Sequence, residues 1–244
     1  MPLGLRLCAL HLAVCLALGS IPAAIPPPEQ LFAEEPKIHT PLPQISGMDD
    51  VSPTDWFYTY VRLGYRHGFL QGRRGNFEPN RAITQAEFIA ILGRFHRALG
   101  GYVEYDASAI EPGAGFHMPY LLWATNLDII TEDEAERFRP NDPVLRAEIA
   151  TMLINYIDVY SLYDYFLPQY EHHSENYTDF AEIPSRARVA ARLLRSFGIM
   201  QGIRRSADPP GIYRFEPFAH TLRRDTAVIF ARMFVTIFDG TVAI

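Results

Sequence analysis

Lysine and cysteine are nearly absent from this chain of 244 residues. Lys37 is the only lysine, so arginine supplies almost all of the positive charge. The two cysteines, Cys8 and Cys15, both lie close to the N-terminus. The sequence after them therefore offers no disulfide and no thiolate metal site, and a chain of this size can hold together by core burial alone.

Long apolar runs and an excess of positive charge are absent too. After the first two dozen residues no apolar stretch approaches the ~20 residues of a membrane-spanning helix, so we expect no span in the processed protein. The net charge of −6 argues against nucleic acid as a partner, because nucleic-acid binding uses a basic face. No Gly-x-Ser-x-Gly, His-Glu-x-x-His or phosphate-loop motif is present, so we predict no catalytic site and no cofactor.

The N-terminal residues have the pattern of a secretory signal. Arg6 supplies a positive charge, Leu7–Leu18 forms a short apolar segment, and small residues follow. We predict a signal peptide over residues 1–24. Lipid attachment at Cys15 is a weaker alternative, because a valine precedes it where that signal has Gly, Ala or Ser. Residues 25–47 are rich in proline and predict an extended stalk.

Three copies of one pattern follow the stalk, and a search for internal periods reveals them. Each copy contains a Phe-x-Pro segment and, ten residues after its phenylalanine, an acid. The segments are Phe77-Glu78-Pro79, Phe138-Arg139-Pro140 and Phe215-Glu216-Pro217, and the acids are Glu87, Glu148 and Asp225. Three coincidences with the same class of residue indicate an internal repeat.

Apolar residues after each acid recur at the spacing of one helical face. The three stripes align without gaps and consist of Phe88, Ile91, Leu92, Phe95 and Leu99; of Ile149, Met152, Leu153, Tyr156 and Tyr160; and of Thr226, Ile229, Phe230, Met233 and Ile237. We therefore predict three long helices that begin near the acids and turn these stripes to the core.

A second helical segment precedes each Phe-x-Pro segment. It covers residues 56–66 in the first copy and 185–195 in the third, and a glycine follows each, as is usual at helix ends. The second copy matches the pattern less well, because it has Phe116 where the first copy has Trp56 and Asp128 where the first copy has Gly68. The predicted fold is all-α, or mainly helical, and built from three helix-loop-helix repeats.

These residues resemble the S-layer homology domain. Its repeat combines an aromatic-x-Asp-Val element, a Trp-led helix, a Gly-rich loop with Phe-x-Pro-Asn, and a Thr-Arg-Ala-Glu helix start. The matching residues are Met48-Asp49-Asp50-Val51, Trp56, Phe77-Glu78-Pro79-Asn80 and Thr84-Gln85-Ala86-Glu87 in the first copy, Phe138-Arg139-Pro140-Asn141 and Leu145-Arg146-Ala147-Glu148 in the second, and Tyr177-Thr178-Asp179-Phe180, Phe215-Glu216-Pro217 and Leu222-Arg223-Arg224-Asp225 in the third.

The resemblance implies repeats over residues 48–100, 101–174 (with a connector) and 175–244, in a pseudo-threefold arrangement around a central helix bundle. It also implies non-covalent attachment to the anionic, often pyruvylated, secondary polysaccharide of a bacterial cell wall. The protein would be secreted, held at the cell wall or S-layer, and without enzymatic activity. In the alternative interpretation the protein is a structural or adaptor protein of the cell envelope. It would then use the same fold to bind an S-layer or other envelope protein.

The resemblance assigns polysaccharide binding to Asp50, Trp56, Arg146, Glu148, Asp179, Arg223 and Asp225. A helix N-terminus offers backbone N–H groups to a carboxylate, and an arginine beside it adds a two-toothed contact. A tryptophan can stack on a sugar face. Gln85 replaces the arginine in the first copy, so copies two and three are the stronger candidates.

Local chemistry predicts smaller features. Thr84 and Glu87 have the spacing of a capping box at the start of a helix. His172-His173 predicts no metal site, because no further ligand is placed nearby. The acidic run Glu132–Glu136 lacks the alternating oxygens and central glycine of a calcium loop, so we interpret it as a solvated acidic loop.

Overall fold

A computed structural model describes residues 45, 47–166, 177–205, 208–209 and 211–238. Within these ranges the chain is mainly helical and contains isolated β-bridges but no strand, which confirms the predicted fold class. The helices are α1 Tyr58–Arg66, α2 Gln85–Ala98, α3 Met118–Asn126, α4 Glu132–Glu136, α5 Arg146–Val159, α6 Tyr163–Phe166, α7 Ser185–Ser196 and α8 Arg223–Ile237.

The long helices α2, α5 and α8 begin two residues before the predicted acids, so that each acid is the third helical residue. In α2 the Glu87 N–H donates to Thr84 Oγ1 at 3.2 Å and the Thr84 N–H donates to Glu87 Oε2 at 3.1 Å. The predicted capping box is therefore present. In α5 the Leu145 N–H donates to Glu148 Oε2 at 2.9 Å, but the leucine side chain has no oxygen to return the bond.

The ends of the shorter helices follow the predicted glycine signals. Gly68 and Gly198 have φ angles of 77° and 71°, in the left-handed region that ends a helix without a steric cost only at glycine. Asp128 has a φ of 55° at the corresponding place in the second copy. Aspartate is one of the few other residues that adopt this conformation readily, which explains why the second copy keeps its shape without the glycine.

Helices pack mainly across copies rather than within one. The first copy's α2 packs against α3 of the second copy, α5 packs against α7 of the third, and α8 packs against α1 of the first. Phe95 of α2 and Phe230 of α8 meet in the core, with ring centroids 5.2 Å apart. The predicted stripes of α2 and α8 are buried throughout, whereas Met152 and Tyr160 of α5 are only partly buried.

Backbone hydrogen bonds between three buried residues connect the copies in a ring. The Ile83 N–H donates to the Thr221 carbonyl at 2.9 Å, the Thr221 N–H to the Val144 carbonyl at 3.3 Å, and the Val144 N–H to the Ile83 carbonyl at 3.1 Å. Each of these residues lies two positions before a long helix. The bonds establish a cyclic order of contacts and not a rotation axis, so the pseudo-threefold arrangement stays a prediction.

One polar side chain in this ring, that of Thr221, has no hydrogen-bond partner within the described ranges. The Thr221 hydroxyl is buried without a hydrogen-bond partner, next to the apolar side chains of Ile83 and Val144 in the backbone ring. Thr221→Val should therefore raise the free energy of unfolding by about 1 kcal/mol. Thr226→Val is the matched control, because the Thr226 hydroxyl donates to the Leu222 carbonyl at 3.1 Å and its loss should lower stability by about 1 kcal/mol. Urea unfolding measures both, and a loss of stability in both variants would contradict the first expectation.

A buried histidine lies where α2, α3 and α5 meet. His96 Nδ1 is 3.1 Å from the Tyr156 hydroxyl, and the His96 ring lies 5.3 Å from the Trp123 ring and 4.3 Å from the Tyr160 ring. The side chain is completely buried, and this burial lowers the pKa of His96 from 6.5 to about 4. The folded protein thus holds His96 neutral where the unfolded chain is already protonated.

This difference predicts a loss of stability in mild acid. Between pH 6.5 and pH 4 only the unfolded chain binds the proton, so the free energy of unfolding should fall by about 2 to 3 kcal/mol from this group. His96→Phe should be less stable at pH 7 but should show a correspondingly smaller fall between pH 7 and pH 4.5. Urea unfolding at both values tests this, with His220→Gln as an exposed control. An equal fall in the parent and in His96→Phe would refute the assignment.

Candidate functional site

The N-terminus of each long helix contacts the Phe-x-Pro segment of the next copy. We name these contacts junction 1–2 (Gln85 against residues 138–140), junction 2–3 (Arg146 against residues 215–217) and junction 3–1 (Arg223 against residues 77–79). The first two N–H groups of each helix donate, at 2.9–3.1 Å, to the carbonyl of the proline in that segment and of the residue two positions after it: Gln85 to Asp142, Ala86 to Pro140, Arg146 to Ala219, Ala147 to Pro217, Arg223 to Arg81 and Arg224 to Pro79. These two N–H groups are therefore already paired, and anion binding at the helix N-termini stays a prediction.

At junction 3–1 the guanidinium of Arg223 is fully engaged. Its Nε donates to the Phe77 carbonyl at 2.7 Å, its Nη2 donates to the Gln71 carbonyl at 2.9 Å, and its Nη1 lies 3.3 Å from Glu87 Oε1. The side chain is buried, and its Cζ lies 4.9 Å from the centre of the Phe77 ring. Arg223 thus joins the third copy to the first.

Glu87 balances the positive charge at junction 3–1. Arg81 donates to its two oxygens at 3.0 and 2.6 Å, in addition to the contact from Arg223, and Arg81 also pairs with Glu78 at 2.7 Å. Burial would raise the pKa of Glu87, but the hydrogen bonds from Arg81 and from the Thr84 backbone outweigh it, and the pKa lies below its ordinary value. Each arginine at this junction is already paired with an acid.

At junction 2–3 the guanidinium of Arg146 is only partly engaged. Its Nε donates to the Phe215 carbonyl at 2.7 Å, and its Cζ lies 5.5 Å from the Phe215 ring. Neither terminal nitrogen forms a hydrogen bond within the described ranges, and neither is among the polar atoms sealed from solvent there. Although the residue as a whole is buried, neither of these two donor nitrogens is completely sealed from solvent.

Asp225 is the acid on the helix facing Arg146, and it does not pair with it closely. No ion pair within 4.0 Å joins the two residues, whereas Asp225 Oδ1 lies 3.8 Å from Arg224 Nε. Burial raises the pKa of Asp225, against the opposing effects of Arg224 and Arg146. Junction 2–3 therefore keeps a guanidinium whose outer edge no acid occupies.

Junction 1–2 has no guanidinium at the corresponding place. Gln85 Oε1 accepts the Arg139 N–H at 2.9 Å, whereas in the other copies Asp50 and Asp179 accept the corresponding N–H groups of Glu78 and Glu216. Glu148, a predicted site residue, accepts the Leu145 N–H and so serves its own helix. The expectation that the first copy contributes the weakest anion site stays a prediction.

Asp50 and Asp179 hold the Phe-Glu-Pro turns. Asp50 accepts the N–H groups of Phe77 and Glu78 at 2.6 and 2.7 Å. In the third copy, Asp179 accepts those of Phe215 and Glu216 at 2.8 and 2.7 Å. Both glutamates are left-handed, with φ angles of 58° and 55°, a conformation that non-glycine residues rarely adopt. The carboxylates therefore stabilise strained turns, a role that their position in the sequence motif does not reveal.

Trp56 is exposed, as an aromatic that stacks on a sugar must be. About 62% of its surface is accessible, and its ring contacts Phe57 edge-on at 5.6 Å. Phe116 occupies the same position in the second copy and is similarly exposed. Arg186 occupies it in the third copy and pairs with Glu134 at 3.2 Å. Only the first two copies therefore present a free aromatic ring here.

Two candidates remain, the pair His172-His173 and the acidic run Glu132–Glu136. His172-His173 lies outside the described residues, and within those residues no group of three histidines, cysteines or acids could hold a metal. The acidic run Glu132–Glu136 is a short helix with a Thr131–Glu134 capping box, not the predicted loop. Among the helices that the structure describes, none is long and apolar enough to cross a membrane.

The turn carboxylates generate a stability prediction. An asparagine in place of Asp179 would turn an amide donor towards one of two N–H donors, so Asp179→Asn should lower the free energy of unfolding by about 1.5 to 3 kcal/mol. Asp50→Asn should cost less, because Asp50 is exposed and water can replace part of the loss, whereas Asp179 is buried. Thermal unfolding compares both with the exposed control Asp49→Asn, and a loss at Asp49 as large as at Asp179 would contradict this role.

Comparison with known proteins identifies a domain family. The family model of the S-layer homology domain matches residues 47–89 and 113–150, which lie in the first two copies. The chain is 27% identical over 116 residues to "Exoglucanase XynX" of Acetivibrio thermocellus, covering 45% of this chain and 10% of that protein. It is 25% identical over 114 residues to "Amylopullulanase" of Thermoanaerobacterium thermosulfurigenes, covering 45% of this chain and 6% of that protein. The chain thus matches only a small part of the length of these relatives.

Proposed function

We propose that this chain attaches non-covalently to an anionic polysaccharide of a bacterial cell wall, because its residues 47–89 and 113–150 match the S-layer homology domain, a domain that anchors proteins to cell surfaces. The carboxylates of a pyruvylated polymer are the groups that its arginines would recognise. The domain is an anchoring domain and not a catalytic one. The enzymatic names of the two relatives belong to proteins of which this chain matches a tenth or less, so we propose no catalytic activity here.

The third copy, residues 175–244, takes part in the same domain in this proposal. Its support is the turn that it shares with the first copy, in which an aspartate holds a left-handed glutamate. Secretion by the signal over residues 1–24, a stalk over residues 25–47 and residence at the cell wall or S-layer complete the proposal.

The observation that carries the proposal is the unengaged edge of Arg146 at junction 2–3. A guanidinium with two accessible nitrogens can grip a carboxylate with two parallel hydrogen bonds. Partial burial removes competing water and strengthens such a bond. Arg223 is the weaker candidate, because its three nitrogens already contact Phe77, Gln71 and Glu87.

The other residues that the sequence resemblance assigns to polymer binding would take different parts in it. Trp56 remains the best stacking platform, since its ring is exposed. Asp225 and Glu148 would act at the rim of junctions 2–3 and 1–2, where they orient hydroxyl groups rather than the anion. Asp50 and Asp179 would act by shaping the turns over which the polymer lies.

Wall retention of Arg146 variants tests the proposal. Loss of a charge-assisted contact worth about 1.5 to 3 kcal/mol should weaken binding of Arg146→Gln to purified wall by roughly ten- to a hundredfold. Arg146→Lys should recover only part of it, because lysine keeps the charge without the planar fork. Arg223→Gln should mainly lower the melting temperature. Co-sedimentation with wall, together with circular dichroism of each variant, provides the measurement.

Two outcomes would overturn this assignment. The first is a folded Arg146→Gln protein that sediments with wall as well as the parent does. The second is equal retention on wall before and after mild acid removes its pyruvyl groups. Retention that instead depends on an added S-layer protein would favour the adaptor interpretation.

A further inference from the structure

A second group of unengaged arginines lies away from the three junctions. Arg94 and Arg97 project from α2, and their Cζ atoms lie 5.8 and 5.7 Å from the centre of the Tyr120 ring on α3. They follow Gln85, at the start of α2, by nine and twelve residues, which places them about 13 and 18 Å along the helix. They are therefore separate from the helix N-termini that form the junctions.

Gly93 allows Tyr120 to lie against α2. A Cβ atom at this position would come within 2.2 Å of Tyr120 Cδ1, so any larger residue would push the ring away from the helix. The ring is partly buried against the core, while Arg94 is half-buried and Arg97 is exposed. The result is a fixed aromatic ring with a guanidinium group close to it on each of two successive turns of the helix.

A comparison within the molecule separates this group from a purely structural one. Arg188 and Arg192 also approach one ring, that of Phe180, at 5.7 and 4.4 Å. There Arg188 donates to the carbonyls of Ile183 and Ala181 at 2.9 and 3.1 Å, so its donors hold the chain together.

The N–H groups of the Arg94 and Arg97 side chains do not hold the described part of the chain together in this way. Among the residues that the structure describes, neither side chain forms a hydrogen bond, and no acid lies within ion-pair distance of either. Both guanidinium groups lie within 5.8 Å of one ring centre, so they are no more than about 12 Å apart. A carboxylated sugar that lies on this ring can accept N–H groups from these arginines.

We propose that Arg94, Arg97 and Tyr120 form a second binding site, for a carboxylated sugar unit of a polysaccharide. The planar forks match a carboxylate, and the tyrosine offers an apolar face with a hydroxyl at its edge. The site rests on the proposed function only in taking a wall polysaccharide as the ligand. It lets one chain of polymer contact the domain at two separate places, which raises the overall affinity without any new contact at the junctions.

Titration of the full chain with polygalacturonate, a carboxylated polysaccharide, tests the site by calorimetry, with uncharged dextran as the second arm. The parent should bind polygalacturonate and not dextran. Arg94→Gln/Arg97→Gln should bind about ten- to a hundredfold more weakly at an unchanged melting temperature. Tyr120→Leu should also bind more weakly. The control Arg186→Gln/Arg192→Gln removes the same charge from α7 and should bind as the parent does.

Three results would overturn the site: a parent that does not bind polygalacturonate, an Arg94→Gln/Arg97→Gln variant that binds it unchanged, or a control that loses as much affinity. A parent that binds polygalacturonate but does not sediment with wall would remove the proposed function and leave this site. A parent that sediments with wall while the Arg94→Gln/Arg97→Gln variant binds polygalacturonate normally would remove this site alone.

Discussion

Backbone hydrogen bonds that run from each copy to the next connect the long helices of this domain. The backbone N–H and carbonyl groups of Ile83, Val144 and Thr221 form a closed cycle of hydrogen bonds. The two residues that begin each helix donate to carbonyls in or just after the Phe-x-Pro segment of the next copy. An N-terminal N–H without a partner would be costly in a buried position. Each copy therefore supplies partners for the first two N–H groups of a neighbouring copy's helix.

This arrangement bears on the proposed function. The first two N–H groups of each long helix are occupied by carbonyl groups, so the anion in that proposal would contact side chains that reach beyond them. The three junctions then differ for electrostatic reasons. Junction 3–1 is balanced by Glu87 between two arginines, junction 1–2 has a neutral glutamine, and junction 2–3 keeps an arginine with accessible donors.

Stability and the recognition of an anion in the proposed function would be linked through the Phe-x-Pro turns. The turn carbonyls receive the Nε atoms of Arg146 and Arg223, and Asp179 and Asp50 hold the same turns in a left-handed conformation. A change in a turn carboxylate would thus shift the turn carbonyl to which the arginine Nε donates. For this reason stability must be measured beside binding for every junction variant.

The sequence by itself determined the three copies, the mainly helical fold, the buried stripes of α2 and α8, the Thr84–Glu87 box and the helix ends at Gly68 and Gly198. These features depend on neighbours within a few turns of helix, so residue type and spacing suffice. Only the tertiary structure decided that helices pack across copies and that Arg146 and Arg223 face turns 69 and 146 residues away. Whether an arginine's donors are engaged or free depends on groups that distant parts of the chain bring beside it, and no local spacing encodes them.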